Sequence, residues 1–193
     1  MNVLILDGGS GNGRGGACRK LKEAALSEVR ARGWNAAAFD LDKMNIKPCR
    51  GCFACWVKHP GVCAIQDDEA DILKATVAAD IRLMLTPVTF GGYGSALKKA
   101  LDRSIPILLP FFIRVGGEVH HPQRYDGTRK ILAVGTLPQP DPEAERIFHH
   151  LVCRNALNMA SLQTETRIFY EEAGEEEARQ VIREILPAAE VVP

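Results

Sequence analysis

Five short apolar runs, each followed by a stretch with helical periodicity, limit what this chain can become. Residues 2–6 form an apolar run that stops at Asp7, Gly8 and Gly9, as a buried strand does when glycines follow. Residues 17–32 then put Leu21, Ala25, Leu26 and Val29 on one helical face, with Gly33 as the stop. Residues 36–41 read as a weak second strand. Asp67 or Asp68 is suited to cap a helix to about residue 79 that buries Ile72, Leu73 and Val77. Residues 81–86 form a third strand ended by Pro87, and Ser95 opens a helix to Asp102 with Leu97, Ala100 and Leu101 inward. A fourth strand over 131–134 ends at Gly135. An amphipathic helix over 142–159 follows, with Ala144, Ile147, Phe148, Leu151 and Val152 on one stripe. Residues 164–170 are the fifth strand, and 175–186 the last helix, with Ala178, Val181, Ile182 and Ile185 at helical spacing. Such alternation predicts a parallel sheet with helices on both faces. The reading is one doubly wound α/β domain over residues 1–193, carrying a cysteine-rich loop at 45–66 and a long excursion at 104–128.

Lys+Arg and Asp+Glu balance at 24 each, which leaves no basic footprint for nucleic acid and no polybasic membrane patch. The first residues run straight into glycines without a charged leader, and no apolar run nears the ~18 residues of a membrane span. The expectation is a cytoplasmic protein.

Four of the six cysteines fall within fifteen residues: Cys49, Cys52, Cys55 and Cys63. Two-residue spacers let each thiolate turn back toward one point, and iron–sulfur clusters use such runs with a fourth cysteine arriving from further on. Pro60-Gly61 supplies a turn that can return Cys63. Zinc sites more often pair two C-x-x-C knuckles across a longer gap. A redox-active C-x-x-C pair would leave two cysteines unused, and four thiols serving only as small hydrophobes would not explain the regular spacing. The leading expectation is a cluster with all four as ligands.

In doubly wound folds ligands sit at the carboxyl ends of the strands. Three glycine-containing loops qualify, at 10–16, 87–94 and 135–141, and the cysteine segment follows the second strand on the same edge. Gly11-Asn12-Gly13-Arg14-Gly15-Gly16 matches G-x-G-x-x-G with Asp40 downstream, a dinucleotide fingerprint. Gly8, Gly9 and Ser10 intervene after the strand, however, and the same loop suits a mononucleotide phosphate held by backbone N–H groups, a helix N-terminus and Arg14. In the second loop, Pro87, Val88, Thr89, Phe90, Gly91, Gly92 and Tyr93 allow close approach to a flat ring, on which Phe90 and Tyr93 could pack, although aromatics beside glycines are also ordinary loop anchors.

Ser10, the cysteine segment running into Asp67-Asp68, Thr86-Pro87-Val88 and Leu97-Lys98…Leu101-Asp102-Arg103 together resemble the flavodoxin-like NADPH-dependent FMN reductases, in particular the iron–sulfur flavoprotein branch. Leu109-Pro110-Phe111-Phe112 and His120-His121…Arg124-Tyr125 are similar to that branch as well. The resemblance covers residues 1–136. It implies sheet order 2-1-3-4-5 and FMN, with phosphate on Ser10, Asn12, Gly13, Arg14, Gly15 and Gly16. The ring would lie against the 87–93 loop and Gly135. It also implies a [4Fe–4S] cluster on the four cysteines, NAD(P)H as transient donor, a small-molecule or protein acceptor, and a homodimer or homotetramer. Gly16-Ala17 stands where the family has polar residues, so two side-chain donors to phosphate, each worth ~1.5–3 kcal/mol, are missing.

Asp67-Asp68-Glu69 reads as a helix cap with first-turn charges, and Cys18 and Cys153 as buried helix thiols. Adjacent His120-His121 aim poorly at one ion. Trp56 suits a shield for the cysteine site, and the apolar stretch 105–113 suits a cover for the flavin or a subunit contact. The leading function is a redox enzyme or electron carrier. The alternatives are a cluster-free NAD(P)H:flavin or quinone reductase, and a non-enzymatic scaffold with structural zinc.

Overall fold

The computed structural model describes residues 1–9, 15–125 and 130–188. Five strands lie parallel: β1 (Asn2–Asp7), β2 (Asn35–Asp40), β3 (Ile81–Thr89) and, beyond the 104–128 excursion, two more. Between β1 and β3 come the helices α1 (Gly15–Ala31), α2 (Ala54–Val57) and α3 (Glu69–Ala78). After β3 the two-residue strand β4 (Gly92–Tyr93) folds back on it, and α4 (Ser95–Asp102) follows. The excursion forms an antiparallel ribbon of β5 (Ile113–Val115) and β6 (Glu118–His120). The chain then runs through β7 (Lys130–Leu137), α5 (Pro142–Asn158), β8 (Gln163–Tyr170) and α6 (Glu175–Ile185). The sheet order is β2-β1-β3-β7-β8, the expected 2-1-3-4-5 of a flavodoxin-like fold once the parallel strands alone are numbered. Among the described residues no helix is long and apolar enough to cross a membrane.

Alternation along the strands divides the interior in two. Val3, Ile5, Leu83, Leu85, Leu132 and Val134 face α1 and α6, meeting Leu21, Ala25, Val29, Ala178 and Ile182. Leu4, Leu6, Met84, Ile131 and Ala133 face the other way, toward Ile72 of α3, Leu97 and Ala100 of α4, and Phe148 and Val152 of α5. Helices cover both faces of the central strands, while residues 35–38 of the edge strand β2 stay exposed; ligands in such folds sit at the carboxyl edge.

Two expected strand ends move. β3 continues through Pro87 to Thr89, and Pro87 pairs with Thr136 of β7. In a parallel strand, successive residues turn their amides to opposite neighbours. Gly8 donates to the Leu85 carbonyl at 2.8 Å, so Leu85 and Pro87 both turn toward β1, whose pairing with β3 ends at Leu85. The missing proline N–H therefore falls where no partner strand remains. Gly135 likewise lies inside β7: a Cβ there would stand 2.5 Å from Val88 Cγ2 and 3.0 Å from Phe148. Glycine at 135 makes room for neighbours and does not end the strand. At α4 the cap is Gly94, with Ser95 the first helical residue.

Candidate active site

Parallel strands put the ends of β1, β2, β3 and β7 on one edge. Of the expected phosphate-loop residues, Ser10, Asn12, Gly13 and Arg14 lie outside the described residues. α1 begins at Gly15, and its first turn has no acidic residue to cancel the positive end of the helix. Gly16 has open space where a Cβ would be. The approach to the loop is tightly packed: a Cβ on Gly8 would meet Leu97 Cβ at 2.8 Å, and Gly9 donates to Asp7 Oδ1 at 2.9 Å. Lys22 bridges Asp7, at 3.0 Å, and Asp40, while Lys43 reaches Asp40 at 2.8 Å. The Lys22 and then the Lys43 bonds hold the Asp40 carboxyl below the usual carboxylate range. Asp40 is thus committed to two lysines and is not a free ribose acceptor, which removes the downstream half of the dinucleotide fingerprint. Cys18 is buried behind this edge, 3.9 Å from Thr136 Oγ1, and burial followed by the Asp7 charge pushes its thiol up to about 12. It is the inert helix thiol expected; Cys153 is only half-buried, 3.6 Å from His149 Nε2.

The 87–94 loop presents one ring and hides the other. Phe90 is fully exposed with φ 50°, and Gly91 follows at φ 74° with Ile147 only 2.6 Å from a would-be Cβ. Both residues take left-handed backbone, which throws Phe90 outward. Tyr93 is 7% exposed, packs edge-on against Phe148 with ring centroids 5.8 Å apart, and its hydroxyl accepts from Asn155 Nδ2 at 3.0 Å. Its side chain belongs to the core, and burial pushes its hydroxyl up to about 12. Tyr93 therefore offers the edge only its backbone, a correction to the expectation of two stacking rings. Pro87 and Val88 are buried in β3, Thr89 and Gly92 reach the surface around Phe90, and Gly94 donates to Thr86 Oγ1 at 2.9 Å, which closes the turn.

Cys49, Cys52, Cys55 and Cys63 line a single cavity, together with Arg50, Phe53, Arg103, Ile105 and Pro106. All four thiols are free. Left-handed Gly51 and Phe53 turn the chain between the first three, α2 carries Cys55, and Gly61 (φ 83°) forms the expected return to Cys63. The Gly51 and Ile65 amides donate to the Cys49 and Cys63 sulfurs, at 3.4 and 3.5 Å. Burial, then the charges of Cys63, Cys52 and Cys49, pushes the Cys55 thiol above its usual value. Among the described residues, no three Cys, His, Asp or Glu side chains are grouped tightly enough to hold one metal ion. Trp56 ties the segment to the 104–128 excursion: its indole donates to the Ile105 and Leu108 carbonyls, and its ring stacks on Phe53 (5.2 Å) and lies tilted against His121 (4.7 Å). His121 Nδ1 meets the Phe111 carbonyl and His120 Nδ1 meets Asn158, so the two histidines diverge.

Behind the cavity lies a buried polar group that the sequence did not announce. Arg103 and Asp67 are paired at 2.9 Å, with side chains 1% and 0% exposed. Asp67 also accepts from the Lys47 and Glu69 amides. Burial alone would raise the Asp67 carboxyl, yet Arg103 and the Lys47 amide hold it below its ordinary value. The side chain of Asp68, expected as a cap, accepts instead from the Asn45 amide at 2.7 Å. Glu69 is fully buried with neither oxygen hydrogen-bonded among the described residues. Burial pushes its carboxyl up to about 8 against the opposing pull of Arg103. It is not the exposed dipole partner expected at a helix start.

Residues 1–121 match the family model for NADPH-dependent FMN reductases, well over half the chain. The chain belongs to this family. Iron-sulfur flavoproteins of Methanocaldococcus jannaschii and Methanosarcina thermophila are 38% and 34% identical to it over 101 and 103 residues. Those stretches cover 51% and 53% of this chain and the same shares of the relatives, so the match spans about half the length of the curated relatives. The fold is also that of an NAD(P)H:quinone oxidoreductase from Methanothermobacter marburgensis, at a TM-score of 0.68 and 14% identity, over 96% of this chain and 99% of the other. In this FMN reductase family member the matched region contains both carboxyl-edge loops from β1 and β3, all four clustered cysteines and the Asp67–Arg103 pair. It stops at His121, before β7, α5, β8 and α6.

Proposed function

We propose that this chain is an FMN-dependent oxidoreductase. It would take electrons from NAD(P)H or another donor and pass them by way of a [4Fe–4S] cluster to a small-molecule or protein acceptor. The single observation that carries the reading is the convergence of Cys49, Cys52, Cys55 and Cys63, all free, on one cavity beside the carboxyl edge of an FMN reductase fold. The donor set suits the cluster. Thiolates spread around a cavity can each bind a separate iron, and amide donors to Cys49 and Cys63 offset thiolate charge. Burial and, after it, the charges of the neighbouring thiolates raise the Cys55 thiol, and bound metal would neutralise that repulsion.

FMN suits the neighbouring edge: the uncancelled helix N-terminus of α1 for phosphate, the glycine turn and Phe90 for the ring. When bound, FMN and the cluster together supply exchange between hydride and single electrons. The protein's own residues shape the turn, exclude water through Trp56 and hold the thiolates in register. We also place the protein in the cytoplasm, where thiols stay reduced, and propose assembly as a homodimer or homotetramer through the β5–β6 ribbon. Anoxic reconstitution with iron, sulfide and FMN, followed by metal analysis and extraction of flavin, tests the reading. About four irons per chain, lost in Cys52→Ser, with FMN recovered from the protein, is the expected result. Stoichiometric zinc, or uptake of neither iron nor FMN, would refute it.

A further inference from the structure

We infer that Arg103 donates its Nε–H to sulfur of the cluster held by the four cysteines, and so sets how readily that cluster accepts an electron. The inference rests on the cluster reading above. An arginine carries five N–H donors. Four of Arg103's are spent: one terminal nitrogen donates to the Lys47 carbonyl (2.7 Å) and Asp67 Oδ2 (2.9 Å), the other to the Ile65 carbonyl (3.3 Å) and Asp67 Oδ1 (2.9 Å). The fifth, Nε, is buried and has no hydrogen-bond partner among the described residues. The side chain is 1% exposed, so bulk water does not supply one.

An orphaned buried donor is rare, and its position here is specific, because Arg103 lines the same cavity as Cys49, Cys52, Cys55 and Cys63. The acceptor that this cavity brings is sulfur. Arg103 is anchored from behind by Asp67 and two loop carbonyls, which fix its place on the wall. A cation with a fixed N–H stabilises the more negative, reduced state of a sulfur cluster beside it, and hydrogen bonds to sulfur are one of the levers that set such potentials. Arg50 also lines the cavity, but it is exposed and keeps its water. A purely structural Arg103 would tie loops together and leave the cluster electronically untouched.

The test uses the full chain reconstituted anoxically after growth on arginine labelled with nitrogen-15 at Nε. Pulsed EPR of the reduced sample should show a nitrogen-15 coupling that persists in Arg50→Lys and is absent in Arg103→Lys. The cluster potential of Arg103→Lys, which keeps the charge and loses this donor, should shift to more negative values. An iron-loaded wild type without the coupling overturns the inference while the cluster reading stands, and so does an unchanged potential in Arg103→Lys. If Arg103→Lys fails to fold, the labelled wild type and Arg50→Lys decide alone, since loss of the coupling in Arg50→Lys assigns it to Arg50. A wild type that takes up no iron removes the cluster reading and this inference together.

Discussion

Asp67 grips Arg103 with both carboxylate oxygens, each 2.9 Å from a guanidinium nitrogen, in a pair sealed from solvent. It joins the end of α4 to the start of α3 and, through Lys47 and Ile65, to both ends of the cysteine segment. Replacing Asp67 by Asn keeps the shape but leaves a buried cation without its counter-charge. Removing one partner of a buried pair costs about 3–5 kcal/mol. Urea denaturation should place Asp67→Asn that far below wild type; a loss under about 1 kcal/mol, the scale of an exposed pair, would contradict the burial described.

Glu69 gives stability a pH dependence of definite sign. Its folded carboxyl titrates at about 8, above the ordinary value near 4.3 that it regains on unfolding. The folded state therefore holds the proton more tightly. The contribution is full below the unfolded value, shrinks as pH rises between the two, and is gone above about 8. Glu69→Gln cannot ionise and should lose this slope. Melting curves at about pH 5, 7 and 9 should show the variant gaining on wild type at each step. Parallel behaviour of the two proteins would mean that Glu69 is not protonated in the fold.

Phe90 separates binding from folding. Its ring is fully exposed, so Phe90→Ala should leave the melting temperature within error. If the ring lies on FMN, affinity should drop roughly three- to tenfold, the worth of one aromatic contact. Titrating flavin fluorescence against wild type and variant checks it, and equal affinities would clear Phe90 of that role.

The β5–β6 ribbon and the segment before it expose Phe111 (65%), Phe112 (72%), Ile113, Val115 and Val119. A patch of that kind on a protein of this size calls for a partner surface. Phe111→Ser with Phe112→Ser should convert the assembled species into a smaller one in sedimentation velocity. A wild-type chain that sediments as a monomer at high micromolar concentration would rule the interface out.

The parallel sheet was legible because its five strands are short apolar runs, each followed by a stretch of helical period, whereas the short strands β4, β5 and β6 carry no such signal. What misled was punctuation. Pro87 and Gly135 look like terminators, and both lie inside strands, the first because its neighbour strand has ended and the second because Val88 and Phe148 fill the space of a side chain. Spacing disclosed that Cys49, Cys52, Cys55 and Cys63 gather on one cavity, since short regular spacers keep turning the chain back toward one point. It could not disclose Arg103 and Glu69, which stand at the end of α4 and the start of α3, far apart in sequence and brought together behind the site by the fold. The one available hint was charge at helix positions expected to be either a cap or solvent. Tyr93 shows the same blindness: an aromatic beside glycines looks alike whether it faces ligand or core, and only α5 decides.

Among the described residues, the cysteine segment is fastened to the body of the protein by bonds that include the indole of Trp56 on the Ile105 and Leu108 carbonyls, the Arg103 contacts to Lys47 and Ile65, the Lys47 amide on Asp67 and the Asn45–Asp68 bond. None of the sheet's ladder bonds passes through it. The segment is thus a cassette, exchangeable for a plain turn without rewriting the strands. The proposed second redox centre would therefore rest on roughly one loop and one arginine, set apart from the strands that build the flavin edge.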